Sequence, residues 1–459
     1  MSRSRGGCLN CRQRRRKCDQ QRPSCAACNR RHVQCSGYST EYRWINHAAV
    51  PNGSQYDGSA ADSQAPCNLQ PSVTLTAPPP TYDSRITQPL FRNFLHSGLR
   101  LFYKTQSNTW VQPFLVHMSQ ESQSIPIMGA ALQSLISNGD ENIPITTMEC
   151  LDIALKTKRL EIVSRGALLC PGTICAGVFL CAIYANFIQL LQAQPYTPYL
   201  RMMADVYQLT NTTITLVPSP EKDPALQHAL EYMAVVDLPF LVLGRVCPSL
   251  GLWRRFRQAQ DDWEGGRRMG VETFTGVHRG LLDIYGDMMH DETSVSVARL
   301  WGWSPDEISD SIQHHFWDAW RLAGIVNARR RARFQRGFGS LTNEDETVSI
   351  LENDVVLSGL MAAIQTVYTH SQLPQNQGLL MINGLLFPLV TVSLEISYLK
   401  RHPESKRTLD DVRQSFEQGR TFPLSKVMFQ LLDEAWEDGS DCFDMDHAAR
   451  CKGVELAIM

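Results

Sequence analysis

Six cysteines near the amino terminus constrain this chain more than any other feature of its sequence. They follow the spacing C-x2-C-x6-C-x6-C-x2-C-x6-C, in which one unit occurs twice, and they are Cys8, Cys11, Cys18, Cys25, Cys28 and Cys35. Thiolates at such spacings are metal ligands, and zinc prefers four of them in a tetrahedron. Six sulfurs give two zinc ions four ligands each only if two thiolates bridge, one from each half. The spacing therefore predicts a site for two Zn2+ ions.

A disulfide-linked scaffold is the alternative, since six cysteines in a short stretch also suit a secreted domain. Residues 1–7 read MSRSRGG and contain no apolar signal segment. Five basic residues lie between the second and third cysteines, and the other eight of the fourteen cysteines are scattered over the rest of the chain. Reduced cytosolic or nuclear thiols are distributed in that way. These observations favour zinc ligands over disulfides.

The cysteine-rich segment is also strongly basic. Residues 1–35 hold ten Lys or Arg side chains against one acid, Asp19, whereas the whole chain has 44 basic and 46 acidic side chains. The remainder of the chain is therefore acidic. Such an asymmetry predicts that the small basic part meets a polyanion and the large part does not. Nucleic acid is the usual polyanion for a compact basic module.

The loop between Cys11 and Cys18 reads RQRRRK and contains neither Gly nor Pro, so it can form a short helix. Together with the spacing and with Pro23, it resembles the fungal Zn2Cys6 binuclear cluster, whose pattern here is C-R-x-R-[RK]-x-K-C-D. The resemblance implies that Cys8 and Cys25 bridge the two zinc ions. It further implies that each ion is completed by two terminal ligands, which are Cys11 and Cys18 for one and Cys28 and Cys35 for the other.

The resemblance also implies how the module meets double-stranded DNA. In the family the loop helix points its carboxyl-terminal end into the major groove, the position matching Arg15 reads guanine, and the usual targets are CGG-type triplets. Physical chemistry agrees, because a guanidinium donates two hydrogen bonds to guanine O6 and N7. The predicted DNA-binding residues are Arg12, Arg14, Arg15, Arg16 and Lys17. Arg14 would lie beside Arg15, and Arg12 and Lys17 would hold phosphates; a nuclear-localisation run without base reading is the alternative.

The rest of the chain divides by composition. We assign residues 1–45 to the DNA-binding domain, with its cluster at 8–35. Residues 46–89 are rich in Pro, Gly, Ser and Ala without an apolar heptad pattern, which predicts a flexible linker. Residues 90–459 show apolar positions at helical spacing and little strict alternation, which predicts an all-α region. This region resembles the fungal-specific regulatory domain that accompanies zinc clusters.

Two long windows, 166–200 and 355–394, contain no Asp, Glu, Lys or Arg. Proline, asparagine and glutamine interrupt both, whereas a membrane span needs about 20 predominantly apolar residues in one helix. We therefore expect no membrane contact but helices buried in the core, with a ligand cavity between them as the alternative.

Two charged segments of this region also allow two interpretations each. A basic run, Arg329 to Arg336, is predicted to be a solvated helix face, with an import signal or DNA-backbone contact as the alternative. An acidic stretch, Asp433 to Asp446, also contains Trp436 and Phe443. Such mixing is typical of activation segments, but its helical spacing favours a helix end and loop packed on the core.

The sequence contains no Walker A loop, Rossmann glycine fingerprint, nucleophile elbow or HExxH pattern. We therefore predict a nuclear, non-enzymatic, sequence-specific transcription factor that regulates a fungal secondary-metabolite gene cluster. Control of primary metabolism or stress genes, or a zinc-scaffolded RNA-binding or interaction protein, are the alternatives. The predicted partners are double-stranded DNA and the transcription machinery or its coactivators. A second copy of the chain and a small-molecule effector are left open.

Overall fold

The structure is a computed structural model of the whole chain. It describes residues 10–11, 14, 18–19, 25–33, 35, 84–102, 111–138, 144–165, 171–183, 195–210, 224–306, 309–336, 343–376, 380–418 and 423–458. Internal contacts divide the chain into two units, Met1–Leu75 and Thr76–Met459. We call them the amino-terminal unit and the helical unit.

The described part of the amino-terminal unit contains the short helix α1 (Ala26–Asn29). In the helical unit the helices are α2 (Ser84–His96), α3 (Val111–Glu121), α4 (Ser124–Asn138), α5 (Ile145–Arg165), α6 (Pro171–Ile183), α7 (Thr197–Val206), α8 (Pro224–Val236), α9 (Leu252–Ala259), α10 (Arg279–Asp287), α11 (Thr293–Gly302), α12 (Ser311–Arg336), α13 (Asn343–Ser371), α14 (Leu386–Ser393), α15 (Ile396–Arg401), α16 (Pro403–Gln418), α17 (Pro423–Asp438) and α18 (Met445–Cys451). Shorter 3-10 turns span Gly98–Leu101, Pro239–Leu241, Pro374–Asn376 and Leu380–Leu385.

The helical unit has one continuous apolar core. Its largest buried aromatic side chains include Trp253, Trp317 and Trp320. A two-residue antiparallel pair, β1 (Val242–Leu243) with β2 (Leu456–Ala457), ties the carboxyl-terminal end of the chain to its middle. The prediction of a largely all-α body is confirmed, because most of its helices bury apolar side chains that recur at helical spacing.

Helix α2 begins earlier than the sequence predicts. Six residues assigned to the linker, 84–89, belong to this helix, while residues 46–83 lie outside the described residues. Thr87 is buried on the same face as Phe91 and Phe94, so the amphipathic pattern extends upstream of Pro89. Pro89, the sixth residue of the helix, cannot donate a backbone hydrogen bond, yet the helix continues through it. Composition alone therefore placed the boundary too late.

The two uncharged windows differ in their burial. Helix α6 is buried on every side from Gly172 to Ile183, which explains why it has no charged residue. In the second window α13 has exposed positions such as Val355, whereas α14 is buried from Phe387 to Val392. Among the helices that the structure describes, none has the length and apolar character needed to cross a bilayer.

The prediction of a solvated basic face at the end of α12 is wrong for Arg330. Arg330 is only 6% exposed and donates to the backbone oxygens of Leu394 (2.8 Å) and Phe443 (2.7 Å). Arg333 donates to the buried carboxylate of Glu395 at 2.5 Å. These arginines hold distant parts of the chain together, because a buried guanidinium must be paired and hydrogen-bonded.

The acidic stretch near the carboxyl terminus is part of the packed structure, as its helical spacing predicts. Leu431 and Ala435 of α17 are buried in the core. Asp444 caps α18 by accepting from the backbone N–H of His447 at 2.9 Å. Asp446 accepts from the N–H of Gly244 at 2.7 Å. At least two of the acids therefore have structural roles.

Candidate metal centre and nucleic-acid interface

Cysteine sulfurs form the interior of the described amino-terminal segment. Cys11, Cys18, Cys25 and Cys28 are buried together, and Ala27, Val33 and Cys35 pack against them. No aromatic or long aliphatic side chain belongs to this cluster within the residues that the structure describes. A segment this small cannot bury enough apolar surface to fold by itself. Its interior therefore fits metal ligation, which small domains use in place of an apolar core.

The sulfur spacing fits zinc. The Sγ atoms of Cys11 and Cys25 are 3.7 Å apart, whereas a disulfide bond measures about 2.05 Å. In a tetrahedron with Zn–S bonds of about 2.3 Å, neighbouring sulfurs are separated by about 3.8 Å. The two thiols thus stand at the separation that two ligands of one zinc ion require.

Cys25 belongs to both groups of metal-ligating side chains in the described segment. One group is Cys11, Cys25 and Cys28, and the other is Cys18, Asp19 and Cys25; within each group the ligand atoms lie within 4.8 Å of one another. Cys25 thus lies near Cys11 and Cys18, which are predicted for one ion, and near Cys28, which is predicted for the other, as a bridging ligand must. Cys8, the predicted partner bridge, lies outside the described residues.

The backbone around Cys25 positions these sulfurs. Cys25 is the N-cap of α1, and its Sγ accepts from the N–H of Cys28 at 3.4 Å. The first turn of the helix thereby brings the two sulfurs of the C-x2-C unit together. Asp19, from the other half of the pattern, accepts the N–H of Ala26 on both carboxylate oxygens at 3.1 Å. This contact joins the two halves of the pattern.

The sequence identifies Asp19 only as the single acid in a basic segment and predicts no structural role for it. Its structural role has no local signal, because the residue that it contacts lies seven positions away. A capping side chain normally lies two or three residues before the N–H that it accepts. The role therefore became visible only in the folded segment.

Of the predicted DNA-binding residues, the structure describes Arg14. Its side chain is exposed, and its N–H donates to the backbone oxygen of Asn10 at 3.4 Å, as in a helical turn. The remaining members of the predicted set, Arg12, Arg15, Arg16 and Lys17, lie outside the described residues. Two further basic side chains, Arg30 and Arg31, are exposed after α1. The described part of the segment thus presents positive charge to solvent.

Comparison with known proteins gives results for the same segment. Residues 6–45 match the family described as the fungal Zn(2)-Cys(6) binuclear cluster domain. Over 45 residues the chain is 42% identical to pestheic acid cluster transcriptional regulator 3 of Pestalotiopsis fici, a match that covers 10% of this chain and 8% of that protein. No solved structure matches the chain. The helical unit is therefore not covered by these similarities.

The family match, the paired cysteine units and the buried thiols all concern one short segment. Residues 6–45 are therefore a fungal Zn(2)-Cys(6) binuclear cluster domain, and this domain is a binuclear zinc site.

Proposed function

We propose that this protein is a sequence-specific, DNA-binding transcription factor that acts in the nucleus. The observation that carries the proposal is a binuclear zinc domain with ten basic side chains against one acid over residues 1–35. Such a charge concentration favours binding to the phosphate backbone. A similar segment in a protein named as a transcriptional regulator supports the same function.

We assign the metal ligands residue by residue. Cys8 and Cys25 bridge the two ions, Cys11 and Cys18 complete one site, and Cys28 and Cys35 complete the other. The position of Cys25 near Cys11 and Cys18 of one site and near Cys28 of the other supports its bridging role. Each ion would have four sulfur ligands and no open position, which is typical of structural zinc. The metal would supply folding energy and not catalysis, in agreement with a regulator that is not an enzyme.

The DNA contacts fall into two classes. Arg15 reads guanine in a CGG-type site through a bidentate hydrogen bond, with Arg14 and Arg16 beside it. Arg12 and Lys17 bind phosphates and set the register. The exposed position of Arg14 supports a loop that is open to a nucleic acid. Residues 46–89 connect this module to the regulatory region, residues 90–459, with α2 already formed at the end of the connection.

We infer the kind of regulated genes from the name of the similar protein. The similar protein is named as a regulator of a pestheic acid cluster, and we propose that this chain likewise controls a fungal secondary-metabolite gene cluster. Its partners would be duplex DNA and coactivators or other transcription machinery. A second copy of the chain would bind a paired half-site, because dimer geometry sets half-site spacing in such modules.

A gel-shift competition with the zinc-loaded full chain tests this function. Duplex DNA with CGG triplets is expected to compete better than scrambled duplex or RNA. Arg15→Ala should remove the preference for CGG at a cost of about 1–3 kcal/mol, because one guanine contact is lost. Arg12→Ala is the matched control, since it deletes the same charge at a position assigned to phosphate. It should weaken binding to all duplexes and lower the salt slope by about 1.

Two outcomes would contradict the proposal. Preferential competition by RNA would indicate a zinc-scaffolded RNA-binding protein. Equal loss of affinity for CGG and scrambled duplex in Arg15→Ala would show that this residue does not read a base.

A further inference from the structure

Two glutamines are buried where α8 meets the end of α9. Gln227 of α8 is 1% exposed, and Gln260, which follows α9, is 0% exposed. Each has a side-chain amide nitrogen that meets no acceptor within the described part of the chain. A buried donor without an acceptor is unfavourable and rare in folded proteins.

The orientation of both amides is fixed by arginine donors. The Oε1 of Gln260 accepts from Arg257 Nη1 at 2.6 Å and from the backbone N–H of Arg268 at 3.2 Å. The Oε1 of Gln227 accepts from Arg268 Nη1 at 3.3 Å. Rotating either amide by 180° would point its NH2 group at those donors. The two unsatisfied groups are therefore donors, and they require acceptor atoms.

Arg268 contacts Gln227 through its guanidinium and Gln260 through its backbone N–H. Unlike the neighbouring arginines, it is not paired with a carboxylate among the described residues. Arg257 forms a bidentate pair with Asp283 at 2.8 and 2.9 Å, and Arg279 pairs with Glu231 at 3.0 Å. Arg268 has no carboxylate partner in the described part of the chain. Its side chain is exposed enough to be reached from solvent. One arginine is therefore available to a ligand while the other two are used internally.

Among the described residues, none of the remaining titratable groups nearby forms an ion pair with Arg268, although the charges of Glu231 and Glu272 act on it. Both oxygens of Glu272 accept hydrogen bonds from Phe274 and Thr275, and burial, followed by the charge of Glu231, raises the pKa of Glu272 to about 7. Burial lowers the pKa of His228 to about 4, which keeps its imidazole neutral at pH 7. The region therefore offers one guanidinium without an ion-pair partner in the described part of the chain and two spare amide donors.

We propose that Arg268, Gln227 and Gln260 form a binding site for a small oxyanion, a carboxylate or phosphate group of an effector molecule. A guanidinium fork with neighbouring N–H donors matches oxygen acceptors of that kind. The site deepens the proposed regulatory function by giving the effector a chemical class. Anion binding is measured without DNA, so failure here is distinguishable from failure of the proposed DNA binding.

Thermal unfolding of the zinc-loaded full chain tests the site. Inorganic phosphate and malonate are each titrated at constant ionic strength, with chloride as the reference. A saturable rise in Tm is expected with at least one probe, because a ligand that binds the folded state stabilises it. A response to phosphate alone would identify a phosphorylated effector class, and a response to malonate alone a carboxylate class. The absence of a saturable response to both probes would overturn the proposal.

Arg268→Gln should remove this response, and Gln227→Leu and Gln260→Leu should weaken it. Arg267→Gln is the matched control, because Arg267 is the next residue along the chain and pairs with the exposed Asp261. It should keep the full response. An equal response in Arg268→Gln and Arg267→Gln would mean that the anions act on the protein generally, and the proposal would fall.

Chemical modification of the unaltered protein provides a second measurement that does not depend on the folding of any variant. Phenylglyoxal labels accessible guanidinium groups, and mass spectrometry locates the label. The stabilising anion should protect Arg268 and leave the labelling of Arg267 unchanged. Labelling of both arginines at the same rate with and without the anion would overturn the proposal.

Discussion

The two units of this protein bury different kinds of atoms. In the amino-terminal unit the described interior consists of cysteine sulfurs, gathered around a helix of four residues. In the helical unit it consists of aromatic and aliphatic side chains, among them Trp253, Trp317 and Trp320. Metal ligation replaces hydrophobic burial in the first unit, and hydrophobic burial is the main favourable contribution in the second. Each unit should therefore fail under a different perturbation.

Removal of zinc should produce the largest difference between the two units in their response. Zinc-site free energies of about 10–16 kcal/mol exceed the stability of so small a segment. Chelation is therefore expected to unfold residues 8–35 and abolish DNA binding, while the far-ultraviolet circular dichroism of the helices changes little. Metal analysis before chelation should give two zinc ions per chain, and adding zinc back should restore binding. A parallel loss of helical signal would show that the helical unit also depends on the metal.

Loss of a buried ion pair should instead destabilise the helical unit. Glu395 is 2% exposed and accepts from Arg333 at 2.5 Å and from Asn353 at 3.3 Å, with Arg330 at ion-pair distance. Glu395→Gln leaves buried arginine charge without its carboxylate, which should lower the free energy of unfolding by about 3–5 kcal/mol. Urea denaturation monitored by circular dichroism measures this loss of free energy of unfolding. The zinc content of the protein should not change.

An exposed ion pair gives the control for this variant. Asp433 pairs with Arg413 on the surface, so Asp433→Asn should change the free energy of unfolding by less than about 1 kcal/mol. Comparable losses in Glu395→Gln and Asp433→Asn would indicate that burial of the charge is not what makes the first pair important.

Two buried groups of the helical unit should give opposite pH dependences. The pKa of Glu272 is raised from 4.5 to about 7, so its contribution is intact below pH 4.5 and is lost as the pH rises to 7. The pKa of His228 is lowered from 6.5 to about 4, so its contribution is intact above pH 6.5 and is lost as the pH falls to 4. Each pKa change of about 2.5 amounts to roughly 3 kcal/mol. Between pH 4.5 and 6.5 the two contributions should largely cancel.

Single variants separate the two contributions in urea unfolding at pH 4 to 8. Relative to the unaltered protein, Glu272→Gln should gain stability as the pH rises from 4.5 to 7. His228→Phe should gain it as the pH falls from 6.5 to 4. If the stability difference between a variant and the unaltered protein did not vary with pH, that residue would not carry the assigned dependence.

The parts that could be predicted from sequence are those set by local spacing. The cysteine spacing predicts tetrahedral zinc ligation, and apolar positions repeating every 3.6 residues predict the helices. The buried state of Arg330 could not be predicted, because its acceptors lie 64 and 113 residues further along the chain. The two buried glutamines escape sequence analysis for the same reason. A run of charged residues shows where charge is concentrated in the sequence. Whether such a side chain is buried depends on its partners in the tertiary structure.

Substitution of Asp19, in the amino-terminal unit, should have the smallest effect. Its carboxylate accepts the N–H of Ala26 on both oxygens, and loss of such a helix-start contact costs about 1 kcal/mol. Asp19→Ala should therefore weaken zinc binding about fivefold, as measured by competition with a chromogenic chelator. Asp19→Asn should retain most of the affinity, since it keeps one acceptor oxygen without the charge. If Asn and Ala weakened zinc binding equally, the carboxylate would act through its charge near the metal, and the hydrogen bond that joins the two halves of the pattern would contribute little to holding the ions.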